Sequence, residues 1–219
     1  MSNFRIRFAT LKDLDEIQNL FNHPDIIAGL GGFTMRDQIR DCIKVRPSLW
    51  VADLDDKIVG AHMFGGRPQS HMIKLGHVGV LPEYRRQRIE TSLYFTAVAQ
   101  AVLEGRRLIE DTIVGDNEAQ KIALPTMGFR LAGELVHRTG SEKSIFLYQL
   151  SLLWDKAWSL IYSRCPPDLW IELKTNSYTS DLWEKNMTLY TSKNSKASTI
   201  VVLIRKFLEG SPNVQIFRE

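Results

Sequence analysis

The sequence predicts an α/β protein built on a mixed, largely antiparallel sheet that is flanked by helices, with a carboxy-terminal extension. Apolar residues between positions 4 and 152 switch between period-2 and helical spacing, in the order β-α-α-β-β-β-α-β-α-β-β. Hydrophobic residues make up 44% and charged residues 24%, which excludes a disordered or collagen-like chain. With 219 residues the chain can bury its own core, and its length corresponds to about one and a half typical domains.

The amino-terminal part is predicted to form a strand, two helices and a hairpin. Charged and apolar side chains alternate over residues 4–8, as in a strand. Asp13 lies in the acidic first turn of a helix that Pro24 ends, and a glycine-rich loop follows. We expect Thr34 to cap a second helix, which Pro47 stops.

The remaining elements up to residue 150 alternate strands with two helices. Glycine closes the first of these helices at its C-cap. The predicted elements are a hairpin over 49–64, a strand over 72–80, a helix over 86–104, a strand over 108–114, a helix over 117–127, and closing strands over 129–137 and 144–150.

Charge and cysteine content exclude several classes of function. The 28 basic residues face 25 acidic ones, so the net charge of +3 does not indicate a nucleic-acid partner. Cys42 and Cys165 form neither a disulfide framework nor a metal signature, so we expect no metal site and a reducing compartment. The amino terminus has no apolar leader, and the apolar run 200–204 is far shorter than the ~20 residues of a membrane helix. The sequence therefore predicts a soluble, cytoplasmic protein.

A basic turn between a strand and a helix is the most informative segment. The strand ends at Val80, and Arg85, Arg86 and Arg88 follow just before the helix. A helix start offers unpaired backbone N–H groups and a positive dipole end, which favour an anion such as a pyrophosphate. A solvated basic helix start without a ligand is the alternative.

A second segment, further along the chain, opens a helix with Asn117 and ends it with Gly128-Phe129. With both segments the chain resembles the GNAT superfamily of N-acetyltransferases, whose pattern V-x-P-x-Y-R-[RG]-x-G-[IL]-[GA] is followed by N-x-x-A/S and a terminal G-F. The resemblance covers about residues 4–152. The matching positions are Val80, Pro82, Tyr84, Arg85, Arg86, Ile89, Asn117, Ala119, Gln120, Gly128 and Phe129.

The resemblance implies transfer of an acetyl group from acetyl-coenzyme A to an amine, by direct attack in a ternary complex. It also implies that the strand ending at Val80 splays from the strand that begins at Leu108. The backbone at the end of the first strand would pair with the pantetheine, and the turn would hold the pyrophosphate. The implied cofactor-binding residues are Val78, Gly79, Val80, Arg85, Arg86, Gln87, Arg88, Ile89, Glu90, Thr91 and Asn117.

Three departures from the family pattern bear on this interpretation. One is that Gly76 and Lys74 stand where the family often has a Glu or His as the base. Arg88 and Glu90 stand where the family has glycines, and a Glu beside a pyrophosphate is repulsive unless it points away. An Arg could act as a side-chain ligand of the phosphate. Leu124, followed by Pro125, replaces a tyrosine that many members use as a general acid. Pro125 also removes a helical hydrogen bond.

His77 and Asp111 are the candidate catalytic residues. Strand alternation turns His77 away from the position of the family's base, unless a β-bulge resets the register. Either Glu110 or Asp111 has to face the core; Asp111 could act as a base or anchor the amine, or pair with a structural Arg. His62 and Asp116 are weaker candidates.

We assign residues 1–153 to a GNAT-like domain and 154–219 to the extension, which holds most of the tryptophans. Its aromatic residues could line a substrate or partner surface, or pack the extension on the sheet. The expected partner is an amine-bearing small molecule or protein, and a homodimer through the closing strands is possible. The rival hypotheses are a non-catalytic GNAT-fold module and an enzyme that uses another acyl donor.

Overall fold

The computed structural model describes residues 4–30, 34–44, 48–66, 70–104, 106–136, 144–151, 170–175 and 214–218. Within these ranges it contains nine strands and five helices. The strands are β1 (Arg5–Phe8), β2 (Leu49–Leu54), β3 (Lys57–Gly65), β4 (Met72–Val80), β5 (Leu108–Val114), β6 (Arg130–Leu135), β7 (Ile145–Ser151), β8 (Trp170–Thr175) and β9 (Val214–Arg218). The helices are α1 (Leu14–Phe21), α2 (Pro24–Leu30), α3 (Arg36–Lys44), α4 (Ile89–Leu103) and α5 (Glu118–Thr126).

All of these strands belong to one sheet, in the order β6-β7-β5-β4-β3-β2-β1-β8-β9. The pairs from β1 to β4 are antiparallel, as are β5–β7 and β6–β7. The β4–β5, β1–β8 and β8–β9 pairs are parallel. The mixed, mostly antiparallel sheet that the sequence predicted is therefore confirmed, and two strands from the region after residue 153 extend it beside β1.

Helices cover both faces of the sheet and bury a separate apolar cluster on each. On one face, α1 and α3 pack over β2 and β3 and α2 packs over β4 and β5, around Phe21 and Val51. On the other, α4 packs against β3 and β4, around Leu93 and Ile109. Residues on the two faces alternate along the strands, as the pleat requires.

The helix α2 is absent from the sequence prediction, which read Pro24 as a stop followed by a loop. Proline is compatible with the first helical position, because its missing N–H has no intrahelical acceptor there and its φ is already helical. Pro24 thus ends α1 and begins α2. Helix α3 begins at Arg36, and the backbone oxygen of Met35 accepts from the N–H of Ile39, so Thr34 lies one residue before the cap position that the sequence predicted for it.

Several sequence predictions lie outside the described residues. They include the stop at Pro47, the C-cap glycine at 105 and the aromatic cluster Trp154, Trp158 and Tyr162. Among the residues that are described, no helix has the length and apolar character needed to cross a membrane.

Candidate active site

Strands β4 and β5 separate partway along their length and leave a V-shaped gap in the sheet. They pair at Met72–Leu108, Ile73–Ile109 and Lys74–Glu110 only. Beyond this point β4 continues alongside β3 and β5 continues alongside β7. The splay implied by the family resemblance is therefore present. Asp111 is the first β5 residue past the last pair, at the apex of the gap.

A β-bulge in β4 lies next to the gap. Val78 pairs with His62 on β3, but the next pair is Leu75 with Phe64, so one β3 residue opposes both Gly76 and His77. A Cβ on residue 76 would lie 2.9 Å from the backbone oxygen of the opposing residue, which explains the glycine. The bulge changes the alternation within β4, because Leu75 packs on the face that α4 covers and His77 faces α1.

His77 faces α1, in a partly buried and uncharged environment. Its Nδ1 lies 2.8 Å from Oγ1 of Thr34. The ring edge of Phe21 contacts the imidazole, with the ring centroids 6.0 Å apart. Burial lowers the pKa of His77, so the imidazole is neutral near pH 7, as a general base has to be.

Asp111 lies on the opposite face of the sheet, toward α4. It is 5% exposed and shares that face with Ile109 and Ile113. Tyr94 donates to its Oδ2 at 2.9 Å, and the backbone N–H of Thr112 donates to its Oδ1 at 2.8 Å. Burial raises the pKa of Asp111 to about 6 even though these hydrogen bonds oppose the shift. The structure therefore does not bring the two candidate catalytic residues together.

The basic turn adopts left-handed backbone at two positions. Arg86 has φ 62° and Arg88 φ 63°, values that favour glycine. The Nε of Arg85 donates to the backbone oxygen of Val80 at 3.3 Å and thus fastens the turn to the end of β4. Helix α4 begins at this turn, and the backbone N–H groups of its first residues have no acceptor within the helix.

Glu90, unlike Arg88, has helical backbone, because it lies in the first turn of α4. Its carboxylate accepts a hydrogen bond from Nε2 of Gln120 on α5. Burial is the largest influence on the pKa of Glu90 and raises it. The side chain therefore points toward α5, and in this orientation its carboxylate is directed away from the turn proposed to hold the phosphate.

Gln120 also joins Glu90 to the Asp111 site. Its Oε1 lies 3.2 Å from the hydroxyl of Tyr94, which is buried between α4 and β5. Burial raises the pKa of Tyr94 well above 10, so this hydroxyl stays protonated. The sequence analysis named Gln120 only as a position that matches the family pattern, and it did not name Tyr94 as a site residue. The i,i+4 spacing of Glu90 and Tyr94 on one helix was the available signal.

Asn117 connects α5 to α2 at the open end of the gap. Its Oδ1 accepts from the backbone N–H of Gln120 at 3.2 Å and so caps α5. Its Nδ2 donates to the backbone oxygen of Gly29 at 3.1 Å. Ile26, also on α2, packs close to Gly79, so α2 borders the gap on the face that His77 occupies.

The remaining candidates lie elsewhere. His62 is fully buried, and its pKa is lowered to about 4 by burial, so it is a neutral core residue. Glu110 faces away from α4 and accepts from Gln149 at 3.4 Å. Leu124 is a fully buried residue of α5, and Asp116 directly precedes the α5 cap. The described residues contain no group of His, Cys, Asp and Glu suited to a metal ion.

Several solved structures share this fold. Ard1 from Thermoplasma volcanium superposes with a TM-score of 0.61 at 14% identity, over 69% of this chain and 99% of its own. The ribosomal-protein-S18-alanine N-acetyltransferase from Escherichia coli gives 0.59 at 13% identity, over 68% and 94%. The putative acetyltransferase yncA from Salmonella typhimurium, solved with acetyl-CoA, gives 0.59 at 20% identity, over 69% and 95%. No curated protein matches this chain in sequence.

The profile of the Acetyltransferase (GNAT) family matches residues 14–129, from the start of α1 to the residue before β6. The chain therefore belongs to the GNAT family of acetyltransferases. Members of this family use acetyl-coenzyme A as the acetyl donor, as the resemblance implied.

Proposed function

We propose that this protein transfers the acetyl group of acetyl-coenzyme A directly to a primary amine within a ternary complex, with His77 as the general base. The β4 bulge carries the proposal. It turns a neutral imidazole to the face that α1 and α2 cover, beside the point where β4 and β5 separate. An amine bound on that face would have a proton acceptor next to the gap.

The chain has groups suited to each part of the donor. Along the gap, the β4 residues Val78, Gly79 and Val80 have no β5 partner, so their edge is available to the pantetheine amides. The α4 start offers N–H groups to the diphosphate, and the exposed Arg86 and Arg88 add positive charge. Asn117 borders the same opening through its bond to Gly29.

In the proposed reaction the amine nitrogen attacks the thioester carbonyl carbon while His77 accepts the amine proton. The carbon–sulfur bond then breaks, and the thiolate leaves as the amide forms. Holding both reactants in the gap lowers the barrier by proximity, and backbone N–H groups of the bulge stabilise the oxyanion. We assign Asp111 a supporting role on the other face, where it fixes β5 to α4 through Tyr94.

Two measurements test the proposal. Isothermal titration with acetyl-coenzyme A should show one saturable site, and the absence of heat would count against the donor. Release of free thiol from acetyl-coenzyme A is then followed with a panel of a polyamine, an amino-acid amide and peptides that carry a free amino terminus or a lysine. His77→Gln should lower kcat at least a hundredfold and leave the affinity for acetyl-coenzyme A unchanged, which is within the range of ~10²–10⁴ for general-base catalysis.

His71→Gln is the matched control, because His71 is exposed in the turn before β4. It should keep wild-type activity. Full activity of the His77 variant would contradict the assignment of the base.

A further inference from the structure

Thr34 is the residue that fixes the ring of His77. Its Oγ1 lies 2.8 Å from Nδ1, and the described residues provide no other hydrogen bond to this imidazole. Thr34 is 2% exposed, so water does not compete for the hydroxyl. The contact joins the residue before α3 to the bulge of β4, two parts of the chain that are distant in sequence.

Asn22, at the end of α1, holds Thr34 in place. Its Oδ1 accepts from the backbone N–H of Thr34 at 3.0 Å, and its Nδ2 donates to the backbone oxygen of Thr34 at 3.2 Å. The preceding residue, Phe21, is fully buried and places its ring edge against His77. The end of α1 therefore positions the imidazole both directly and through Thr34.

We propose that Thr34, held by Asn22, is a positioning residue that keeps the hydrogen of neutral His77 on Nδ1 and leaves Nε2 to receive the proton of the acceptor amine. This inference rests on the proposed function, because it takes His77 as the base. It goes further by specifying which nitrogen of His77 accepts the proton and which residue determines that choice.

The chemistry of the contact supports this direction of the hydrogen bond. A hydroxyl can donate or accept, whereas an imidazolium ring carries hydrogen on both nitrogens. When Nε2 gains a proton, Nδ1 has to remain a donor. A hydrogen bond in which Nδ1 donates to Oγ1 of Thr34 therefore persists through proton transfer. A bond in which the Thr34 hydroxyl donates to Nδ1 would have to break.

Among the described residues, the hydrogen-bond partner and the aromatic contact of the ring are uncharged. Phe21 and Asn22 belong to α1, Thr34 precedes α3, and Met63 opposes the bulge from β3. Burial is the cause of the lowered pKa of His77, with no contribution from a charged side chain. The single hydrogen bond to Thr34 therefore controls the tautomer.

The tautomer can be measured without a substrate. Long-range ¹H–¹⁵N correlation spectra of the full chain should show Nδ1 of His77 as the protonated nitrogen and Nε2 as the bare one. In Thr34→Val, which keeps the shape but removes the acceptor, the pKa of His77 should fall by roughly half a pH unit or more. Thr34→Ser should retain the wild-type spectrum. A bare Nδ1 in the wild type would overturn the proposal.

Kinetics supply the second readout, with the best amine of the panel as acceptor. Thr34→Val should lower kcat roughly five- to tenfold with KM unchanged, which is the loss expected from one neutral hydrogen bond, and Thr34→Ser should restore it. Thermal unfolding of each variant shows that it folds. Unchanged kcat in Thr34→Val, together with an inactive His77→Gln, would refute the role of Thr34 alone. A fully active His77→Gln would instead refute the base assignment.

Discussion

Replacing Arg88 with glycine should stabilise the protein, although the side chain is exposed and the position belongs to the proposed phosphate turn. With φ 63°, Arg88 occupies left-handed backbone, which costs about 1–2 kcal/mol for a residue with a Cβ. Glycine removes this cost but adds about 0.5–1 kcal/mol of conformational entropy to the unfolded chain. The net gain in the free energy of unfolding is therefore roughly 0.5–1 kcal/mol, or ~1–4 °C in Tm for a chain of this size.

The matched control is Gln87→Gly, one position earlier in the same exposed turn and without positive φ. It gains nothing from relief of strain and should lose about 0.5–1 kcal/mol, since only the unfolded-state entropy changes. Urea unfolding of the two variants and the wild type measures both values. Equal destabilisation by the two glycines would refute the reasoning that Arg88 is strained, and the double variant with Arg86→Gly should be more stable still.

Three further outcomes are expected. Gly76→Ala should lower the free energy of unfolding by about 1–3 kcal/mol, because its Cβ would meet a backbone oxygen at 2.9 Å. Thermal unfolding measures this loss, and Gly133→Ala is the control because the space around its Cβ is open. The pKa of Glu90 is raised in the fold, so its contribution to the free energy of unfolding is lost as the pH rises through that pKa. In urea unfolding at increasing pH, Glu90→Gln should lose less stability than the wild type. The pKa of Asp13, which pairs with Arg7, is lowered in the fold, so its contribution to the free energy of unfolding is present at neutral pH and lost on acidification. Asp13→Asn should therefore reduce the loss of stability that the wild type shows at low pH. An unchanged loss would contradict the assignment.

The sequence predicted the order of strands and helices along the chain, and the basic turn, because both depend on local signals. Alternation predicted the strands, and the run of arginines before an apolar helix is the basis for the proposed phosphate turn. Helix α2 was missed because Pro24 can end one helix and begin another, and a single sequence does not distinguish these roles.

The site itself depended on contacts between distant segments. The face of His77 depends on a bulge, and the position of this bulge is defined by the pairing of β4 with β3. Thr34 was read as a helix cap, because its contact with His77 links residues 43 positions apart. The direction of Glu90 required knowledge of Gln120 on another helix. The expectations for the extension beyond β8 and β9 stay predictions.

The V-shaped gap also gives the sheet two edges in its interior. Strand edges with unpaired backbone groups recruit other extended chains, and proteins normally protect them at the outside of a sheet. Here β4 and β5 each have one such edge in the middle of the sheet, near apolar residues such as Val78 and Ile113. A donor that lies along β4 would cover one of these edges, so its presence should protect the protein against self-association as well as supply the acetyl group.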